Sequence, residues 1–139
     1  MRVGERIAFT ASTLNEIAYG LHKAAAAGRT AAGAQLRWLR AQIAAGLIDV
    51  LAFDDRAADV ACSLRARMPI PPTLTKMARR RSKANDRVAW VMDLQTAATV
   101  FVHGYDLVTA DAHHPLIATQ IHALAPAAPP LFIHPPPQF

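Results

Sequence analysis

Three carboxylates stand where an unpaired negative charge would need a reason. Glu16 lies in Thr13-Leu14-Asn15-Glu16-Ile17, Asp93 lies among Trp90, Met92, Leu94, Ala97 and Ala98, and Asp111 follows Leu107-Val108-Thr109 by two residues. No Lys or Arg sits three or four residues from Glu16 or Asp93, so neither has an ion pair along its own helix. A carboxylate on an apolar surface must find its partner elsewhere in the fold. A divalent cation is one such partner, and Mg²⁺ takes carboxylate and water oxygens. Each acid also has a plainer role open to it. Glu16 fits the return arm of a capping box opened by Thr13. Asp93 can accept from a hydroxyl or a backbone N–H inside the fold. Asp111 can cap the turn that follows it. Capping and metal binding do not exclude each other, since a carboxylate has several lone pairs.

Those acids must be placed by a framework of strands and helices. Ile7 to Ala11 reads as a strand, and Leu14, Ile17, Ala18 and Leu21 then follow at helical spacing to a stop near Gly28. A second helix is expected over about 30–45, with Leu36, Leu39 and Ile43 as its apolar stripe and Gly46 as its stop. Leu47 to Phe53 reads as a strand, and Asp54 or Asp55 as the cap of a helix running to about Met68, where Pro69, Pro71 and Pro72 end it. Asn85-Asp86 can cap a helix to about Val102, closed by His103-Gly104. Tyr105 to Thr109 is the next strand, 116–123 a weak helix, and Leu131-Phe132-Ile133 a terminal edge strand, with His134 onward loose. Strands separated by helices imply an α/β fold with a mostly parallel sheet. Active groups in such sheets gather at the carboxyl ends of the strands, where all three acids fall.

Composition narrows the class. A chain of 139 residues suits one domain, and 53% hydrophobic against 18% charged residues excludes a disordered chain. Thirty of the residues are alanine, so the larger apolar side chains are the better guide to the core. No apolar run approaches the ~18 residues of a membrane span. Glu5 and Glu16 interrupt the N-terminal segment and no apolar stretch follows Arg2, so no secretory leader is read there. A reducing, cytoplasmic setting is therefore expected. The formal charge of +5 suits a polyanionic or acidic partner.

Several other residues carry weaker signals. Lys76, Arg79, Arg80, Arg81 and Lys83 could neutralise a polyanion, meet an acidic protein segment, or simply be solvated. His113-His114 with His122 or His103 would make a zinc site, although adjacent histidines on a helix point apart. Cys62, the one cysteine, reads as a packed thiol on an apolar helix face. Trp38 and Trp90 read as core or interface groups.

Three segments, in order and at the right spacing, resemble a family. Asp93-Leu-Gln-Thr-Ala-Ala-Thr-Val-Phe-Val-His103-Gly104 followed by Tyr105-Asp-Leu-Val-Thr109-Ala-Asp111 is similar to the C-terminal signature of PIN-domain ribonucleases. Phe9 to Leu21, a strand and then a helix with Glu16, Tyr19 and Gly20-Leu21, resembles the earlier signature, and Val50 to Ala58 the segment between. The likeness spans about residues 6–114, and the VapC toxins of type II toxin–antitoxin pairs are the nearest subgroup.

That resemblance implies a three-layer α/β fold over residues 1–125, with a mostly parallel central sheet flanked by helices, and a proline-rich tail over 126–139. It implies a Mg²⁺- or Mn²⁺-dependent endoribonuclease toxin, with Glu16, Asp93 and Asp111 as the catalytic, metal-binding acids and Thr109 as the supporting hydroxyl. His114 stands where many relatives carry a further Asp. An RNA substrate, a small antitoxin partner and a homodimer are the expected partners, with Arg79, Arg80, Arg81 and Lys83 as candidate RNA contacts. The family's opening strand, which ends in a metal-binding Asp, is expected to be missing here, and metal affinity and rate to fall with it. The alternative is a catalytically inactive PIN-domain remnant that binds antitoxin or RNA.

Overall fold

The side-chain oxygen of Thr10 accepts from the backbone N–H of Thr13 at 3.1 Å. This bond fixes where the first helix of the computed structural model begins. The strand β1 (Ile7–Thr10) therefore runs straight into α1 (Ala11–Ala26), with Thr10 as N-cap. The structure describes residues 5–71 and 83–138. Lys76, Arg79, Arg80, Arg81 and the side chain of Lys83 lie outside the described residues. The chain divides into two compact units, one ending at Ala52 and the other starting at Phe53.

The first unit is β1, α1, α2 (Thr30–Ala44) and β2 (Ile48–Leu51). β1 and β2 pair in parallel, with Ile7 opposite Ile48 and Thr10 opposite Leu51. A parallel pair needs a long crossover, and α1 with α2 supplies it. The register is clamped at its start by the Arg6 guanidinium, whose Nε and Nη2 donate to the two oxygens of Asp49 at 2.7 and 2.6 Å. The pair is surface-exposed, so it specifies register more than it adds stability. Ala32, Leu36, Leu39, Ile48 and Leu51 form the buried apolar set, as the helical stripe on α2 predicts, though Ile43 is only half-buried. On α1 no residue is fully buried.

The second unit is α3 (Asp55–Arg67), α4 (Lys83–Val102), β3 (Leu107–Val108), α5 (His114–Leu124) and β4 (Ile133–His134). Asp54 caps α3 by accepting from the Ala57 N–H at 2.9 Å. Ala57, Ala61 and Leu64 recur at helical spacing and are buried, as are Leu94, Ala97 and Ala98 on α4. The small residues let the two helices approach closely while the leucines fill the seam. The core joins Leu64, Trp90, Leu94, Ala97, Val100, Ile117, Ile121 and Leu131. α4 already begins at Lys83, so Asn85-Asp86 lie inside it rather than capping it. It ends where Tyr105 N–H donates to the Val100 carbonyl and Gly104 N–H to the Phe101 carbonyl, both at 3.1 Å. This double closure needs a left-handed residue, which Gly104 supplies at φ 74°.

β3 and β4 pair in parallel, Leu107 opposite Ile133 and Val108 opposite His134. The described strands thus form two separate parallel pairs, which makes the fold a helix-rich α/β one with parallel strands. The strand expected at Leu131 to Ile133 is shifted toward the C-terminus. His134, expected to be loose, is tied down: its Nε2 lies 2.7 Å from Asp106 Oδ2. Among the described residues no helix is long and apolar enough to cross a membrane.

Candidate metal centre

In the second unit, two of the acids singled out in the sequence come together. Asp93, Asp111 and His113 each offer a ligand atom, and these atoms all lie within 4.8 Å of one another. Ligands of a single ion at about 2.1 Å stand roughly 3 to 4.2 Å apart, so two carboxylates and an imidazole within 4.8 Å of one another could hold one divalent cation after drawing together by a few tenths of an ångström.

Each member is placed by a local device. Asp93 projects from α4, half-buried, one turn after Trp90. Burial pushes its carboxyl above the ordinary aspartate range. The charge of Asp111 pushes the same way, while His114 and His113 oppose it. Asp111 follows the short strand β3, and its backbone N–H donates to the Thr109 hydroxyl at 3.1 Å. Thr109 therefore sets the turn that presents Asp111. One Asp111 oxygen accepts from the His113 N–H at 2.8 Å, so Asp111 also has the capping role open to it from sequence. The same oxygen lies 3.4 Å from His113 Nδ1.

His113 is fixed from a second side. Its ring meets that of Trp90 edge-on, with centroids 5.7 Å apart and planes at 85°. Trp90 is itself held, because its Nε1–H donates to the Met68 carbonyl at 2.6 Å and its side chain is 1% exposed. Beside the cluster His114 is buried, and neither ring nitrogen has a hydrogen-bond partner among the described residues.

The remaining expectations divide. Glu16 lies on α1 in the first unit, exposed to solvent. The capping box assigned to it is replaced by Thr10 acting on Thr13, so Glu16 is not the return arm of the cap. The all-histidine zinc reading does not describe what is seen: among the described residues His113 groups with Asp93 and Asp111. His103 closes α4, its N–H donating to the Thr99 carbonyl, and its ring lies 3.6 Å from Asp54. Cys62, expected to be packed, is exposed, because the apolar stripe of α3 runs through Ala57, Ala61 and Leu64 instead. Trp90 is a core residue, whereas Trp38 is 60% exposed. The residue missed as a partner of the acids is His113. The available signal was the Asp-x-His spacing across a turn, since an Asp side chain in such a turn accepts from the backbone two residues on.

No protein-family model matches the sequence, and no curated protein matches it. Among solved structures, the chain is similar to one in the crystal structure of VapBC2 from Rickettsia felis bound to a DNA fragment from their promoter. The TM-score is 0.59 at 16% identity, over 95% of this chain and 76% of that one. The likeness is one of fold: a mixed α/β, helix-rich chain with parallel strands, similar in fold to a chain of that VapBC2 complex.

Proposed function

We propose that the chain is a metal-dependent endoribonuclease domain of the VapC kind, with Asp93, Asp111 and His113 holding a divalent cation against an RNA phosphodiester. The observation that carries this reading is the convergence of those three side chains within a fold similar to that of a VapBC2 chain. The sequence resemblance supplies the substrate class, adds Glu16 to the acids and names Mg²⁺ or Mn²⁺ as the ion. A small antitoxin and a second copy of the chain are the proposed protein partners. Exposed Ile17, Tyr19 and Trp38 on α1 and α2 support an apolar protein contact there.

A bound cation would lower the pKa of a coordinated water and offset charge on the attacked phosphate. The chain's own residues prepare that role. Thr109 orients the Asp111 turn, Trp90 holds the His113 ring, and half-burial of Asp93 raises the local cost of unneutralised charge. One observation favours the second reading, an inactive remnant that binds antitoxin or RNA. Asp111 Oδ1 already accepts from the His113 N–H and lies 3.4 Å from its ring, so part of that acid's need for a partner is met without an ion.

The test is cleavage of a fluorescent single-stranded RNA by the purified chain with Mg²⁺ or Mn²⁺. Asp93→Asn, Asp111→Asn, Glu16→Gln and an EDTA control accompany it. The proposal expects cleavage that falls to background in EDTA and in Asp93→Asn. A folded chain that binds the ion and cuts no RNA overturns the nuclease reading in favour of the remnant.

A further inference from the structure

We infer that this centre selects a first-row transition ion such as Co²⁺, Zn²⁺ or Mn²⁺ over Mg²⁺, with the His113 imidazole as the selecting ligand. The inference rests on the metal site proposed above and goes beyond it by assigning the ion class and the residue that sets it. The donor set is its first support. Two carboxylates alone would suit Mg²⁺, which demands oxygen ligands and keeps several waters. An imidazole nitrogen within 4.8 Å of both carboxylates changes the preference, because nitrogen donors suit the borderline transition ions.

Placement of that nitrogen is the second support. The His113 backbone is held by Asp111 Oδ1, and its ring is held by Trp90, which is anchored on the Met68 carbonyl. Outer partners that orient a ligating histidine are how proteins tune a metal site. A ring already oriented loses less freedom when it ligates.

His114 is the third and independent support. It is 6% exposed, and neither of its ring nitrogens is hydrogen-bonded among the described residues. It sits close enough to Asp93 for their charges to interact. A buried imidazole without a partner is costly; His114 stands outside the group of three ligand atoms, so a water bound to the ion, rather than the ion itself, is the group that would satisfy it. The competing account, a plain ion pair between His113 and Asp111, is weak at 3.4 Å with both side chains partly exposed.

The experiment titrates the EDTA-stripped full chain with Co²⁺, followed by visible absorption, and with Mn²⁺ and Mg²⁺, followed by calorimetry. Co²⁺ and Mn²⁺ are expected to bind at least about tenfold more tightly than Mg²⁺. His113→Ala should lower Co²⁺ affinity by about 10- to 100-fold and change the visible bands, while Mg²⁺ affinity stays within about twofold of wild type. His113→Asn, which keeps a polar group of smaller reach, should behave like His113→Ala, and thermal unfolding in EDTA checks that both variants fold. Equal affinity for Co²⁺ and Mg²⁺ overturns the inference. So does a folded His113 variant with unchanged Co²⁺ bands. Tight, His113-dependent Co²⁺ binding without RNA cleavage upholds the inference and removes the nuclease reading. Mg²⁺-supported cleavage with His113-independent Co²⁺ binding does the reverse.

Discussion

Replacing Trp90 with Phe should cost the second unit a large part of its stability, and the size of the loss can be worked out. Trp90 is 1% exposed and donates its indole N–H to the Met68 carbonyl at 2.6 Å. Phe has no such donor, so the carbonyl loses its partner, at about 1–3 kcal/mol. The smaller ring also leaves a void of roughly 40 Å³, which adds about 1 kcal/mol at ~24 cal/mol per Å³. The sum is about 2–4 kcal/mol, or roughly 10 °C in Tm for a chain of this size. Urea unfolding followed by far-UV circular dichroism measures it, and a shifted midpoint with an unchanged slope identifies a loss of native-state stability. A change below about 0.5 kcal/mol would refute the account of Trp90 as a buried, hydrogen-bonded anchor. Emission separates the two tryptophans: Trp38→Phe should retain a blue-shifted spectrum from Trp90, and Trp90→Phe should leave a solvent-exposed one.

Two further outcomes follow from the same geometry. Because burial raises the Asp93 pKa, the folded chain holds that proton more tightly than the unfolded chain does. The associated stability is complete below the ordinary aspartate value of about 3.9 and is lost as pH rises through the raised value. In EDTA, Asp93→Asn should therefore unfold at a higher temperature than wild type at pH 7, and the difference should vanish near pH 3. With Mn²⁺ added, wild type alone should gain stability, and a lower Tm for Asp93→Asn in EDTA at neutral pH would contradict this. Gly104→Ala should cost about 1–2 kcal/mol purely from backbone strain, since φ is +74° and an added Cβ would meet no atom within 4 Å; a neutral effect in thermal unfolding would argue against the closure described for α4.

Much of this arrangement is legible in residue order, and the departures have physical causes. The helices α1 to α3 follow from apolar spacing and from stops at Gly28, Gly46 and Pro69. The first cap was displaced because Thr10, Ser12 and Thr13 lie together, and any hydroxyl in such a run can accept from a backbone N–H three residues on. Only the fold shows that Thr10 does so. β4 sits in a proline-rich stretch that has little local reason to be a strand, and its order comes from pairing with β3 and from His134 on Asp106. Long-range pairing of this kind leaves no periodic trace in a two-residue strand. Asp93 and Asp111 stand out in the sequence because neither belongs to an obvious helix face or ion pair. His113 stands out only among the other histidines, since its grouping with the acids depends on Trp90 and Asp93, which lie about twenty residues earlier in the chain. Cys62 was misplaced because an Ala-rich helix offers more than one apolar stripe, and the one that packs is set by α4.

The most direct test is a crystal of the chain grown with Mn²⁺ and read by anomalous scattering. One peak is expected at about 2.0–2.3 Å from oxygens of Asp93 and Asp111 and a ring nitrogen of His113. Full Mn²⁺ occupancy elsewhere on the chain, with these three side chains unligated, would contradict the account.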